Sequence, residues 1–192
     1  MIETSVDSAQ PLPGDFAIWI FIFAELVVFG VLFAAYAFAR SSHVDVFNAS
    51  QLTLNRAYGF ADTLILVTSS YSVARATLSI KAGRSTACGH WLAGALGLGG
   101  LFLVLKSVEF HQDLAQGITL STNLFYMFYL ALTFFHFMHV LMGMTILAVV
   151  DYKAYAGRYS AENYTGVETG GSYWHMVDLV WIILFALVYV IH

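Results

Sequence analysis

The sequence is poor in charged residues. Only 10% of its 192 residues are Asp, Glu, Lys or Arg, whereas 59% are hydrophobic. A soluble domain of this length could not bury so much apolar surface, so the composition indicates a membrane protein. The net charge of -4 comes without any basic block, which argues against nucleic acid as a partner.

Cysteine and proline are also scarce. The one cysteine, Cys88, cannot form an intramolecular disulfide and belongs to no CxxC or CxxCH motif, so we expect a small buried residue. Both prolines, Pro11 and Pro13, lie before the first long apolar run, where they favour a helix start. Residues 1–14 contain no Lys or Arg, unlike the basic start of a secretory signal, and we expect the first apolar run to be retained.

Five apolar segments are long enough to be membrane helices. A hydrocarbon core about 30 Å thick requires roughly 20 apolar residues in a helix. The sequence therefore predicts one all-α membrane domain over residues 1–192, a bundle of five transmembrane helices. The predicted spans are 16–39, 60–81, 88–109, 123–150 and 173–191.

The third span carries a small residue at every fourth position. Gly89, Ala93 and Gly97 would lie along one face of a helix. Such a stripe lets the backbone of a second helix approach closely. We therefore expect tight helix packing on this face.

Basic residues are distributed unevenly between the predicted loops. With five spans, the amino terminus and the loops near 82–87 and 151–172 lie on the same side of the membrane. That side has Lys81, Arg84, Lys153 and Arg158, and the other has Arg40 and Arg56. The positive-inside rule then makes residues 1–14 a cytoplasmic tail and places His192 outside.

Charged residues inside the spans need an explanation. Glu25 lies near the middle of the first span, where an ionised carboxylate costs a few kcal/mol, so it should be neutral or paired. Its role is either proton handling or lipid-headgroup contact, or a simple interhelical hydrogen bond. Arg75, in a Ser- and Thr-rich second span expected to face other helices, has no acidic neighbour at i±3 or i±4. Its partner should be a lipid phosphate or a carboxylate of another segment, for which Asp62, Glu25 and Asp178 are the candidates.

Lys106 and Glu109 lie three residues apart near the end of the third span. This spacing permits a local ion pair, and a lysine near a helix end can extend its ammonium toward the interface. We expect a structural rather than a functional role for this pair.

The last span places polar and aromatic residues on one face. Trp174, Asp178 and Trp181 follow the i, i+4, i+7 pattern, and His175 lies three residues before Asp178. A buried Asp beside a His would fix the imidazole tautomer or stabilise its charged form. The two tryptophans are expected at an interface or as membrane anchors.

His136 and His139 lie three residues apart in an apolar run, with Gly143 on the same face. Two histidines at this spacing could bind one metal, with His175 or Glu25 as a third ligand, or a b-type haem could take one of them. However, the spans contain too few histidines for the several centres of a respiratory core. Hydrogen-bonded packing, or a polar pair that faces lipid, is therefore the favoured interpretation.

Four stretches, taken in order, resemble segments of one known membrane-protein family. They are IWIFIFAELVVFGVLFAAYAFAR, LKSVEF, FFHFMHVLMG and GVETGGSYWHMVDLVWIILF. The residues that carry the likeness are Glu25, Glu109, Phe110, His136, His139, Gly143, Glu168, Tyr173, Trp174, His175, Asp178 and Trp181. From about residue 14 to 191 the chain resembles subunit III of the haem-copper oxidases, in its short five-helix form.

Two positions depart from this resemblance. Asp62 occupies a position where the family often has Asn, and Lys106 one where Gln is common. The family therefore implies no role for either residue. The chain also starts at the glutamate-bearing helix, two helices later than the seven-helix members, and in this it resembles the short form associated with nitric oxide reductase clusters.

The resemblance implies an accessory subunit of a bacterial inner-membrane complex. Such a subunit holds no redox centre and no metal of its own. It packs on a catalytic subunit that contains haem, with copper or non-haem iron, it binds phospholipid in a cleft, and it supports proton uptake. Glu25, Arg75, Glu109, His136, His139, His175 and Asp178 would form its polar lining, and no residue would be catalytic.

Two other functions stay open from the residues alone. The first is a haem-b or quinone-binding membrane anchor that uses His136 or His139 together with His175. The second is a small proton channel or transporter, although the sequence has no pair of broken helices and no inverted repeat.

Overall fold

The computed structural model describes residues 14–191, which form six α-helices and a final π-helical turn. The described residues contain no β-strand, so the all-α prediction is confirmed. Residues 1–13 of the predicted tail, with both prolines, and His192 lie outside the described residues. The elements are α1 (Phe16–Ser42), α2 (Val44–Gln51), α3 (Arg56–Lys81), α4 (Ser85–Ala115), α5 (Leu124–Tyr155), α6 (Thr165–Phe185) and the π-helical turn (Ala186–Val190).

Short polar residues and glycines define where the helices begin and end. The side chains of three N-caps accept hydrogen bonds from first-turn backbone N–H groups, which otherwise have no intrahelical partner. These caps are Asp15 on α1, Asn55 on α3 and Asn123 on α5. Glycines with positive φ end α3, α4 and α5, at Gly83, Gly117 and Gly157.

Four helices of the described chain are long and apolar enough to cross a membrane, one fewer than the sequence predicts. They are α1, α4, α5 and α6 with its π-helical turn. The exception is α3, which has 26 residues but a Ser- and Thr-rich composition. The short helix α2 was not predicted.

Helix α3 lies antiparallel to α4 along most of its length. The Gln112 side-chain nitrogen donates to the Tyr58 hydroxyl at 3.3 Å, and the Ser69 hydroxyl donates to the backbone oxygen of Ala95 at 2.9 Å. Ser69 and Ala95 are buried in this contact. The hydroxyl-rich face of α3 therefore packs inside the bundle, where backbone groups satisfy it.

Helix α6 lies at the centre of the bundle. Its most apolar stretch is 56% buried, compared with 11% for α1, which is peripheral. The helix begins at Thr165, eight residues before the predicted span, and it continues without a break through Gly170 and Gly171. These glycines let it pack closely on Val150 of α5 and Val73 of α3.

Trp174 and Trp181 are core residues, so the prediction that they are interfacial anchors is wrong. Their exposed fractions are 1% and 0%. The Trp174 ring packs against Gly99 of α4 and Gly143 of α5, where a Cβ atom would lie 2.9 Å from it. Both tryptophans lie well inside the longer α6 rather than near its start, and so they meet the neighbouring helices.

The small-residue stripe of α4 does not mediate packing within the chain as predicted. Gly89 packs on the Tyr155 ring, but Ala93 and Gly97 are exposed, and Gly97 has no other atom within 4 Å of its Cβ position. Internal packing uses Ala95 and Gly99, which lie two residues after Ala93 and Gly97 and so on nearly the opposite face of the helix. Cys88 is buried, as expected.

We predict that Gly143→Ala destabilises the protein by about 1–3 kcal/mol, because the new methyl group overpacks the Trp174 ring. The matched control is Gly30→Ala in α1, where a Cβ atom would meet nothing within 4 Å. Unfolding in a mild detergent, followed by circular dichroism, measures both variants. Equal stability of the two variants would contradict the predicted packing.

Candidate functional site

Glu25 of α1 and His139 of α5 form a direct pair across the bundle. Glu25 Oε2 lies 2.9 Å from His139 Nε2, and His139 Nδ1 lies 2.8 Å from the Phe135 carbonyl oxygen. Because that carbonyl can only accept, Nδ1 carries a proton and donates it. A hydrogen bond between Nε2 and Oε2 then requires one proton between these two atoms. The sequence prediction that Glu25 is neutral or paired is confirmed in that Glu25 has a partner, His139.

His136 has a different environment from His139. Its ring is fully buried between Phe102 of α4 and Trp181 of α6, with ring centroids 5.9 and 5.2 Å away. Neither ring nitrogen has a hydrogen-bond partner among the described residues. The two histidines thus point to different helices, and hydrogen-bonded packing is found for His139 but not for His136 among the described residues.

His175 pairs with Ser70, so the predicted pair of His175 and Asp178 is wrong. The Ser70 hydroxyl of α3 lies 2.6 Å from His175 Nδ1, and the His175 ring is exposed. Asp178 is buried, and its Oδ1 has no hydrogen-bond partner within residues 14–191. Residues three apart on a helix can meet, but here the exposed His175 ring turns to Ser70 of α3 whereas the Asp178 side chain is buried.

Arg75 faces outward from the bundle. Its guanidinium carbon lies 5.5 Å from the centroid of the Trp91 ring, in a cation–π contact. Among the described residues, none of the three predicted carboxylates pairs with it: Glu25 contacts His139, and Asp62 contacts Lys106. The predicted carboxylate partner is therefore not found among the described residues, and the other expected partner, a lipid phosphate, stays a prediction.

Lys106 is the centre of a buried charge cluster. Its ammonium lies 2.6 Å from Glu109 Oε2, which confirms the predicted ion pair, and 2.9 Å from Asp62 Oδ2 of α3. Lys106 and Asp62 are completely buried, so the lysine does not extend to the interface. The ammonium also lies 4.7 Å from the centroid of the Trp181 ring.

Two tyrosines complete this cluster. The hydroxyls of Tyr129 on α5 and Tyr189 in the π-helical turn donate to Glu109 Oε1 at 2.9 and 3.0 Å. Glu109 thereby accepts hydrogen bonds from two further elements. We call Asp62, Lys106, Glu109, Tyr129 and Tyr189 the charge cluster.

A polar cavity of about 300 Å³ adjoins the charge cluster. Glu109 lines its inner part, together with Asp113 and Gln112 of α4 and the tyrosines Tyr58 and Tyr126. The cavity lies at the end of the bundle formed by the α2–α3 and α4–α5 connections. Polar side chains therefore line the space between that end of the bundle and Glu109.

The sequence alone did not assemble the charge cluster. Lys106 and Glu109 were visible as a local pair, but the partners Tyr129 and Tyr189 lie 20 and 80 residues from Glu109. One signal was available. Asp62 and Lys106 have opposite charges, and each stands where the resembled family commonly has a neutral residue. This suggests that the two residues pair and neutralise each other.

Comparison with known proteins gives a consistent family assignment. Residues 14–192 match the family model described as cytochrome c oxidase subunit III. The cytochrome c oxidase subunit 3 of Thermostichus vulcanus is 33% identical, covering 97% of this chain and 92% of that protein. The cytochrome bo(3) ubiquinol oxidase subunit 3 of Pseudomonas aeruginosa is 28% identical, covering 95% and 88%. The haem-copper oxidase subunit I+III of Aeropyrum pernix is 28% identical over 94% of this chain and 23% of that protein.

Proposed function

The chain belongs to the cytochrome c oxidase subunit III family, and from this premise we propose that it is an accessory subunit of a bacterial haem-copper oxidase. The observation that carries the proposal is the family match over residues 14–192. In this role the chain has no redox centre. It stabilises a catalytic subunit I that holds the haem and copper.

The fused relative of Aeropyrum pernix supports subunit I as the partner. According to its name, that protein contains subunits I and III in one polypeptide, so the two units stay in the same complex. The relatives compared here are named as oxidases. Association with a nitric oxide reductase stays a prediction from the short form of the chain.

The side-chain geometry does not favour a haem-binding anchor. That function needs His136 or His139 to share a pocket with His175. His136 is enclosed by aromatic rings, His139 is bonded to Glu25, and His175 points outward to Ser70. These three environments are separate.

We further propose that α3 is a fifth membrane span. It runs antiparallel to α4, which is itself long and apolar enough to span, and its polar groups face α4 through Asp62 and Ser69. Shielding by neighbouring helices makes a Ser- and Thr-rich span acceptable in lipid. With five spans, Lys81, Arg84, Lys153 and Arg158 all lie on the amino-terminal side, which supports a cytoplasmic amino terminus and an external carboxyl terminus.

Phospholipid binding belongs to the proposed role. A groove of about 370 Å³ between α3 and α6 has apolar walls at Ala74 and Leu78. Its polar groups are His175 and the ion pair of Lys81 with Glu168, whose Nζ and Oε1 atoms lie 2.8 Å apart. Acyl chains fit apolar walls, and a cationic or hydrogen-bonding edge suits a headgroup phosphate. Arg75 faces outward on the same helix and provides a second cation for a headgroup.

The outward small-residue face of α4 is proposed to contact the catalytic subunit. We expect Gly97→Leu to leave this chain folded but to reduce the amount of catalytic subunit that co-purifies, because the added side chain prevents close helix approach. Gly30→Leu in α1 is the matched control, since Gly30 is equally open. If Gly30→Leu, but not Gly97→Leu, loses the catalytic subunit during purification, the contact lies on α1 instead.

The pair of Glu25 and His139 is proposed to support proton uptake by the complex. Glu25→Gln keeps a hydrogen bond to His139 but removes the exchangeable carboxyl proton. We expect normal assembly, with slower proton delivery or earlier loss of activity during prolonged turnover. The control is Glu162→Gln, at an exposed residue of the α5–α6 connection. Turnover and lifetime equal to those of the wild type would show that Glu25 is purely structural.

A further inference from the structure

The charge cluster has an unbalanced set of ionisable groups. Asp62 and Glu109 lie 2.9 and 2.6 Å from one ammonium, that of Lys106, and all three side chains are at least 94% buried. If all three groups were ionised, these residues would carry one net negative charge. An uncompensated charge inside a membrane protein costs several kcal/mol. One bound proton removes this charge.

Hydrogen bonding indicates which carboxyl holds that proton. Glu109 accepts from the Lys106 ammonium and from the hydroxyls of Tyr129 and Tyr189, and three donors stabilise it as a carboxylate. Asp62 contacts only the ammonium through Oδ2, and its Oδ1 has no hydrogen-bond partner in the described part of the chain. The proton therefore belongs on Asp62.

The polar cavity provides a route for this proton. Glu109 lines the cavity and also touches Lys106, so it connects the cavity to Asp62. Water has room there, since about 300 Å³ greatly exceeds the roughly 30 Å³ that one water occupies in the liquid. Other ionisable groups face the cluster or its cavity from the surrounding elements: Tyr58 on α3, Asp113 on α4, Tyr126, Tyr129 and His136 on α5, and Tyr189 in the π-helical turn.

We propose that Asp62, Lys106 and Glu109 form a second proton-binding site, separate from the pair of Glu25 and His139. The ligand is a single proton, taken by Glu109 from water in the cavity. The Lys106 ammonium gives one of its protons to the Asp62 carboxylate, which becomes a neutral carboxyl group, and takes the proton from Glu109, so that Lys106 and Glu109 return to their charged forms. When the proton leaves, the cluster regains its negative charge. The site lies near the end of the bundle where the α2–α3 and α4–α5 connections meet.

Infrared spectroscopy of the full chain in lipid nanodiscs tests this assignment without the partner subunit. At neutral pH the difference between the wild-type and Asp62→Asn spectra should contain the C=O stretching band of a protonated carboxyl, and this band should fade as the pH is raised. Asp62→Asn should lose it. Asp113→Asn and Glu25→Gln are the controls and should retain it, since each removes a different carboxyl group.

A band that persists at full intensity in Asp62→Asn, or one that disappears only in Asp113→Asn, would overturn the proposal. If Asp62→Asn does not fold, the double variant Asp62→Asn/Lys106→Gln removes the proton-binding carboxyl together with the ammonium beside it, and it should also lack the band. If the double variant keeps the band, the proposal is also wrong.

Hydrogen exchange tests the route. On transfer to deuterated buffer the Asp62 band should shift as its proton is replaced. Gln116→Trp, at the exposed rim of the cavity, should slow this replacement severalfold, whereas Gln116→Ala should not. Equal rates in the two variants would exclude the cavity as the path.

Discussion

Lys106→Met is expected to lower the free energy of unfolding by about 3–5 kcal/mol, because it leaves Asp62 and Glu109 buried without their cation. Methionine has nearly the length of lysine, so the loss reports on charge rather than on volume. Protonation of the two carboxyl groups would offset part of the cost. We therefore expect the destabilisation to be largest at high pH and to shrink as the pH falls.

Detergent-solubilised protein, unfolded by heat or denaturant at several pH values, provides this measurement. Lys153→Met is the matched control because Lys153 is exposed near the end of α5. Asp62→Asn/Lys106→Gln should be more stable than Lys106→Met at high pH, where Asp62 is ionised, because it leaves one buried carboxylate instead of two. If Lys106→Met unfolds no more easily than Lys153→Met at any pH, the charge cluster does not stabilise the fold.

Trp174→Ala is expected to destabilise the protein by about 3–5 kcal/mol, a loss typical of deleting a buried aromatic side chain. The Trp174 ring fills the space left by Gly99 on α4 and Gly143 on α5, so its removal opens a cavity among three helices. In lipid, such packing contacts are a principal source of helix association, because lipid tails are as apolar as the side chains.

The control for this change is Trp91→Ala. Trp91 is only partly buried and contacts Tyr71 and Arg75 at the edge of the bundle, so we expect a clearly smaller loss. Unfolding of the two variants under identical detergent conditions gives the comparison. If Trp174→Ala lowers the free energy of unfolding no more than Trp91→Ala does, packing around the Trp174 ring does not hold α4, α5 and α6 together.

The sequence predicts most of the helical architecture because membrane helices satisfy their own backbone hydrogen bonds. Apolar runs around 20 residues long therefore identify helices without knowledge of their partners. The start of α6 was misplaced because the predicted span covered only the apolar run from residue 173, whereas the helix begins at Thr165 and includes Gly170 and Gly171. Their actual role, close packing on Val150 and Val73, depends on neighbours that are distant in the sequence.

The candidate sites were only partly predictable for the same reason. The carboxyl of Glu25 inside an apolar helix required neutrality or a partner, and His139 is that partner. By contrast, spacing on one helix suggested that His175 would meet Asp178, but it cannot show that a serine of α3 lies closer. The pairing of Asp62 with Lys106 likewise depends on the register between α3 and α4, which composition does not determine.

The central claim is that this chain is a cofactor-free accessory subunit of a haem-containing oxidase. It is tested most directly by purifying the tagged chain in a mild detergent, then identifying the co-purifying protein and recording haem spectra of the complex and of the isolated chain. We predict a catalytic subunit I with all the haem, and no Soret band from the isolated chain. A Soret band in the isolated chain that disappears in His175→Ala would contradict the account and establish a haem-binding anchor.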